Sequence, residues 1–141
     1  MRVLVITNNW QVKEKLEKLE TAVLYQENPV RTTLLYARDQ VIQGWHLAAD
    51  PRGGYNKRFN PYHTVFLCDE AVNNTGEDVW ILEEAAAFSH SPYQVEAEYT
   101  VSELRDIQIL DTAIAERTYE RLKMYMDKES ESFFREEDTY G

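Results

Sequence analysis

A chain of 141 residues with 43% apolar side chains and one cysteine has the size and composition of a single globular domain that needs no disulfide or metal staple. Its net charge of −10 sits in the second half: residues 1–70 hold 9 Lys/Arg against 8 Asp/Glu, and residues 71–141 hold 6 against 17, or +1 and −11. That balance argues against a nucleic-acid partner, which needs a basic face, and no apolar run approaches the ~18 residues of a membrane span.

The opening, MRVLVITNN, has too short an apolar run for a secretory leader, so a cytoplasmic domain is expected. Arg2–Thr7 is a continuous β-branched apolar run, the pattern of a strand buried on both faces. Asn8 and Asn9 end it. Val12, Leu16 and Leu19 then share one stripe of a short helix over Gln11–Leu19. Thr21–Tyr25 reads as a second strand. Pro29 opens a helix over Val30–Gln43, which Gly44 stops from a left-handed cap position. Trp45–Ala49 is a third strand, and the β-α-β-α-β order implies parallel strands.

Asp50–Tyr62 (DPRGGYNKRFNPY) is a loop by every turn signal. Thr64–Asp69 is a fourth strand. No helix fits before it, which allows strands three and four to pair as an antiparallel hairpin with strand four at the edge, although its direction stays open. Asp78 is placed to cap a helix over Val79–Phe88, stopped by Ser91-Pro92. Thr100-Val-Ser-Glu103 matches a capping box. A helical pattern follows for about 25 residues to near Asp127, with Leu104, Ile107, Leu110, Ile114 and Leu122 as its apolar stripe.

The expected fold is therefore α/β and three-layered: a central, mostly parallel sheet of about four strands, flanking helices and a long C-terminal helix. Residues 1–91 form the core domain, 92–127 a helical extension of the same domain, and 128–141 a frayed acidic tail.

Two surfaces could carry function. Ligands in open α/β sheets bind outside the carboxyl ends of the parallel strands. Those ends here bring Asn8, Asn9 and Asp50 toward a loop with Arg52, Lys57, Arg58 and Asn60, bordered by His63. Three cations in an acidic protein, with paired glycines beside them, point to a small anion such as a phosphate or carboxylate. No phosphate-loop or dinucleotide motif is present, so the residues leave open whether the protein is an enzyme, and no catalytic residue is assigned. Among the histidines, His63 borders the loop and is the better candidate for acid–base work than His46 or His90. Clustered Cys and His are absent, so neither metal nor cofactor is expected. Cys68 lies in an apolar strand and reads as buried. The second surface is the long helix: Leu110, Ile114, Leu122 and Tyr125 suit a homo-oligomer or a protein partner.

The opening Ile6–Asn9 followed by a Val12–Lys15 helix, the Ala37–Asp39 helix ending at Gly44, and a Pro- and Gly-containing loop closing on Asn60-Pro61-Tyr62 resemble the GrdX protein family over about residues 1–90. Trp10 and Asp50 depart from that pattern, which has Pro and His there. The resemblance implies a small cytoplasmic α/β accessory protein associated with glycine reductase, the selenium-dependent system of amino-acid-fermenting anaerobes. It implies no reaction mechanism.

Overall fold

The computed structural model describes residues 1–51, 61–70, 76–89, 94–95 and 98–140, with side chains on the last helix described through Met126. In chain order the elements are β1 (Val3–Thr7), α1 (Trp10–Glu17), β2 (Ala22–Tyr25), α2 (Val30–Ile42), β3 (His46–Leu47), β4 (Thr64–Cys68), α3 (Asp78–Ala87) and α4 (Val101–Tyr140).

The four strands make one sheet in the order β2-β1-β4-β3. β1 and β2 are parallel, with Leu4 opposite Ala22 and Ile6 opposite Leu24. β4 runs antiparallel to both β1 and β3. Three strands thus share one direction, and the reversed β4 lies between two of them. The expected hairpin of strands three and four forms, but β4 is central rather than an edge. Its burial explains this: all five residues of Thr64–Cys68 are buried, which requires neighbours on both sides and layers on both faces. The two-residue β3 takes the edge instead.

The register sorts alternate residues to opposite faces. On one face Leu4, Ile6, Val65 and Leu67 pack against Val30, Leu34 and Ala37 of α2 and Leu82 and Ala86 of α3. On the other, Val5 and Phe66 pack against Val12 and Leu16 of α1 and Ala115, Tyr119 and Leu122 of α4. The three layers are helix, sheet, helix. Each fully buried Leu among Leu16, Leu34, Leu67 and Leu82 contributes roughly 1.5–3 kcal/mol from removal of its side chain from water.

Local chemistry sets the boundaries. At the end of α2, Gly44 has φ +117. Its N–H donates to Val41 O at 3.0 Å, and the Trp45 N–H donates to Gln40 O at 3.1 Å, the paired bonds of a Schellman stop. The α4 capping box closes reciprocally: the Glu103 N–H donates to Thr100 Oγ1 and the Thr100 N–H to Glu103 Oε1, both at 3.1 Å. α1 ends two residues earlier than its pattern suggests. Glu20 turns left-handed at φ 62, and Leu19 is exposed rather than in the stripe. Asp78 is the first residue of α3 and does not cap it; its Oδ2 accepts the Leu47 N–H at 3.0 Å and so ties α3 to β3.

Candidate functional site

At the carboxyl ends of β1 and β2 the following helices leave toward opposite faces, where an open sheet forms its crevice. Asn8 fills this place. Its Nδ2 donates to Asn28 O at 2.9 Å and Pro61 O at 3.0 Å, while Oδ1 accepts the His63 N–H at 2.8 Å. The side chain therefore staples the β2–α2 connection to the segment entering β4. His63 is buried beside it at 2% exposure. Tyr62 follows the same path. Burial pushes its phenol pKa up, and the neighbouring Tyr25, Asp111 and Glu27 push the same way.

Asn9 is fully buried and works in the other direction, toward α4. As N-cap of α1 its Oδ1 accepts the Gln11 N–H at 3.0 Å. Its Nδ2 donates to Asp111 Oδ2 at 2.9 Å, Thr112 Oγ1 at 3.1 Å and Gln108 O at 3.2 Å. Asp111 Oδ2 also accepts from Thr64 Oγ1 at 3.1 Å. The Thr7 and Thr64 hydroxyls lie 2.8 Å apart, and Thr7 Oγ1 also reaches His63 O at 3.3 Å. Thr7 Oγ1 in turn accepts the Asn9 N–H at 3.0 Å. Thr7, Asn9, Thr64, Asp111 and Thr112 are each at most 6% exposed. A charged group at that depth is tolerated only with such partners.

Between Ala49–Pro51, β4 and α4 lies a cleft of about 30 Å³, lined by Asp50, Thr64, Phe66, Asp111, Ile114 and Thr118 among others. That volume is of the order of one or two waters. The ionisable residues among its described walls are both carboxylates, Asp50 and Asp111. Arg52, Lys57, Arg58 and Asn60 lie outside the described residues, as does His90. Of the expected ligand group, the structure thus brings Asn8 and His63 into direct contact, places Asn9 against α4 and sets Asp50 at the cleft. Cys68 is buried; its thiol donates to Glu70 O at 2.9 Å, and burial pushes its pKa up. Among the described residues no group of three His, Cys, Asp or Glu is placed to hold a metal ion, and no helix is long and apolar enough to cross a membrane.

On α4, Leu122 belongs to the chain's own core at 9% exposure, beside Ala115 and Tyr119, and is not free for an interface. The expected stripe had the wrong centre. The face that meets the sheet runs through Asp111, Thr112, Ala115, Tyr119 and Leu122, because the polar network draws two hydrophilic residues inward. Ile107 and Ile114 are left half-buried, and Leu110 and Tyr125 are 46% and 44% exposed. Sequence patterning missed Asp111, Thr112, Thr64 and Gln108. The signal was an Asp-Thr pair interrupting an apolar helical stripe beneath a buried Asn cap.

A second surface feature went unread. Trp10 is 47% exposed, meets Tyr25 edge-to-face at 5.3 Å, and carries the Lys13 ammonium 4.5 Å from its ring centre. The cation and the ring quadrupole hold each other in place.

Comparison with curated proteins and with solved structures finds no match. Comparison with protein families matches residues 4–120 to the family described as GrdX-like protein. This reaches 30 residues past the resemblance legible in the sequence and takes in α4 as far as Glu120, so both partners of the Asn9–Asp111 contact fall inside it. Spanning most of its 141 residues, that match establishes that the chain belongs to the GrdX-like protein family.

Proposed function

We propose that this protein is a non-catalytic accessory domain of the glycine reductase system, and that its working surface is the outer side of α4. Family membership supplies the context. The observation that carries the surface is the mismatch between helix and domain. Forty residues of α4 extend about 60 Å, whereas a five-residue strand spans about 17 Å. The buried side chains described on α4 lie between Asp111 and Leu122. The helix is thus far longer than the strands, and among its described residues Leu110, Met124 and Tyr125 are exposed. The polar side chains at the strand ends support the non-catalytic reading, since Asn8 and Asn9 are spent on holding segments together.

Calorimetric titration of the purified chain against the purified glycine reductase proteins tests this. Binding is expected for the native chain and is lost in Leu110→Asp/Tyr125→Asp, with the melting curve unchanged. A chain that binds none of those proteins sinks the reading.

A second reading is a small anionic metabolite bound through Arg52, Lys57 and Arg58, the cations that follow Asp50 in the sequence. The described walls of the cleft carry only carboxylate charge, so affinity for an anion would rest wholly on those three cations. A thermal shift with phosphate or carboxylates that disappears in Arg52→Ala/Arg58→Ala supports it; no shift with any anion removes it.

A further inference from the structure

We infer that the partner of α4 is a second copy of this chain, docked antiparallel across a two-fold axis near residue 112. This rests on the outer side of α4 being the working surface and deepens it. Six residues on that side recur at alternating steps of four and three: Glu103, Ile107, Leu110, Ile114, Arg117 and Arg121. At 100° per residue they lie about a third of a turn round from Ala115, with Ile114 at the boundary, one side of it lining the cleft beside Pro51. Glu103, Leu110, Arg117 and Arg121 are exposed, and Ile107 and Ile114 half-buried. The 3.5-residue spacing is that of a helix seam.

The order of charges along this seam selects the partner. It is acidic at its start, with Glu103 and the adjacent Asp106, apolar at its centre, and basic at its end. A two-fold antiparallel arrangement sets Leu110 against the partner's Ile114, Ile107 against the stem of the partner's Arg117, and Glu103 against the partner's Arg121. Every contact then occurs twice, as a closed isologous interface requires. A parallel pair would instead oppose Glu103 to its own copy and Arg121 to its own copy. Among the described residues Arg117 and Arg121 make no ion pair within the chain. Long guanidinium side chains at such flanking positions also cover apolar surface with their stems.

Light-scattering mass of the full chain is the test, with helix content of each variant followed by circular dichroism. The native protein is expected at twice its 16.6 kDa. Arg117→Glu/Arg121→Glu makes the seam acidic throughout, and Glu103→Arg/Asp106→Arg makes it basic throughout. Each alone is expected to be monomeric, and an equimolar mixture is expected to recover the dimer mass. Where Glu103→Arg unravels the capping box, Asp106→Arg alone replaces that pair. A native monomer up to about 100 µM overturns the inference, as does a dimer that survives both charge reversals or a mixture that stays monomeric. A native monomer that still binds a glycine reductase protein through Leu110 overturns the two-fold alone. A dimer obeying the charge-swap rule with no affinity for those proteins supports the two-fold and removes the accessory reading.

Discussion

At Asn9 one amide performs two tasks of opposite polarity. Its oxygen caps α1 and its nitrogen faces the Asp111 carboxylate at 2.9 Å. Asn9→Asp separates them, because aspartate caps a helix as well as asparagine but presents a second carboxylate to Asp111. Loss of the donor and a new like-charge contact in a buried site are expected to cost on the order of 3 kcal/mol at neutral pH. The sign of the pH dependence follows. Two carboxylates sharing a dry site retain one proton, which places a folded-state pKa above the unfolded value. The variant's stability therefore recovers as pH falls toward the ordinary carboxylate range, and the gap to the native protein narrows. Urea denaturation at several pH values measures this, and a gap that does not change with pH contradicts it. Asp69 behaves oppositely. The Arg2 N–H and guanidinium donate to it at 2.7 and 3.0 Å and hold its pKa below the usual carboxylate range. Its contribution is present above the unfolded pKa and fades as pH falls through the folded one. Asp69→Asn is expected to flatten the acid limb of the stability curve in the same measurement.

Among the elements, α4 completes a core begun by β1 and α1 at the start of the chain. Ala115, Tyr119 and Leu122 cover Val5, Val12, Leu16 and Phe66. A chain ending at Ser91 exposes that cluster and leaves Asn9 without Asp111, so it is expected to lose cooperative melting. A chain ending at Met126 keeps every buried residue described on α4 and is expected to melt as one unit. Equal melting of the two would show that α4 adds nothing to the core. The elements were legible because their signals are local. The apolar run of β1, the Thr100–Glu103 box and the glycine after α2 each act within a few residues. Sheet order was not legible, since nothing near Thr64 states that β4 will lie beside β1. Five consecutive buried residues in TVFLC were a clue to a central strand, but hairpin logic pointed to the edge. The Asn9 contact has no signal beside Asn9, its partner being 102 positions away; the hint lies in α4, where an Asp-Thr pair breaks the apolar stripe. For the same reason Asp78 read as a cap although its partner is the Leu47 amide.

For the molecule as a whole, folding responds to the net charge of −10 and pairing register to the local order of charge along α4. Excess negative charge opposes compaction, whereas the α4 seam is held in register by acidic starts facing basic ends. Salt screens both, its reach falling from about 30 Å at 0.01 M to about 3 Å at 1 M. Between those limits the unfolding midpoint, taken at a dilution where the chain is monomeric, is expected to rise by a few degrees. The dissociation constant of the dimer is expected to rise severalfold over the same range, leaving a residual affinity from Leu110 and Ile114. Sedimentation equilibrium against calorimetry across a salt series separates the two effects. Tighter association at high salt would mean that apolar contact alone drives pairing and that charge does not set the antiparallel register.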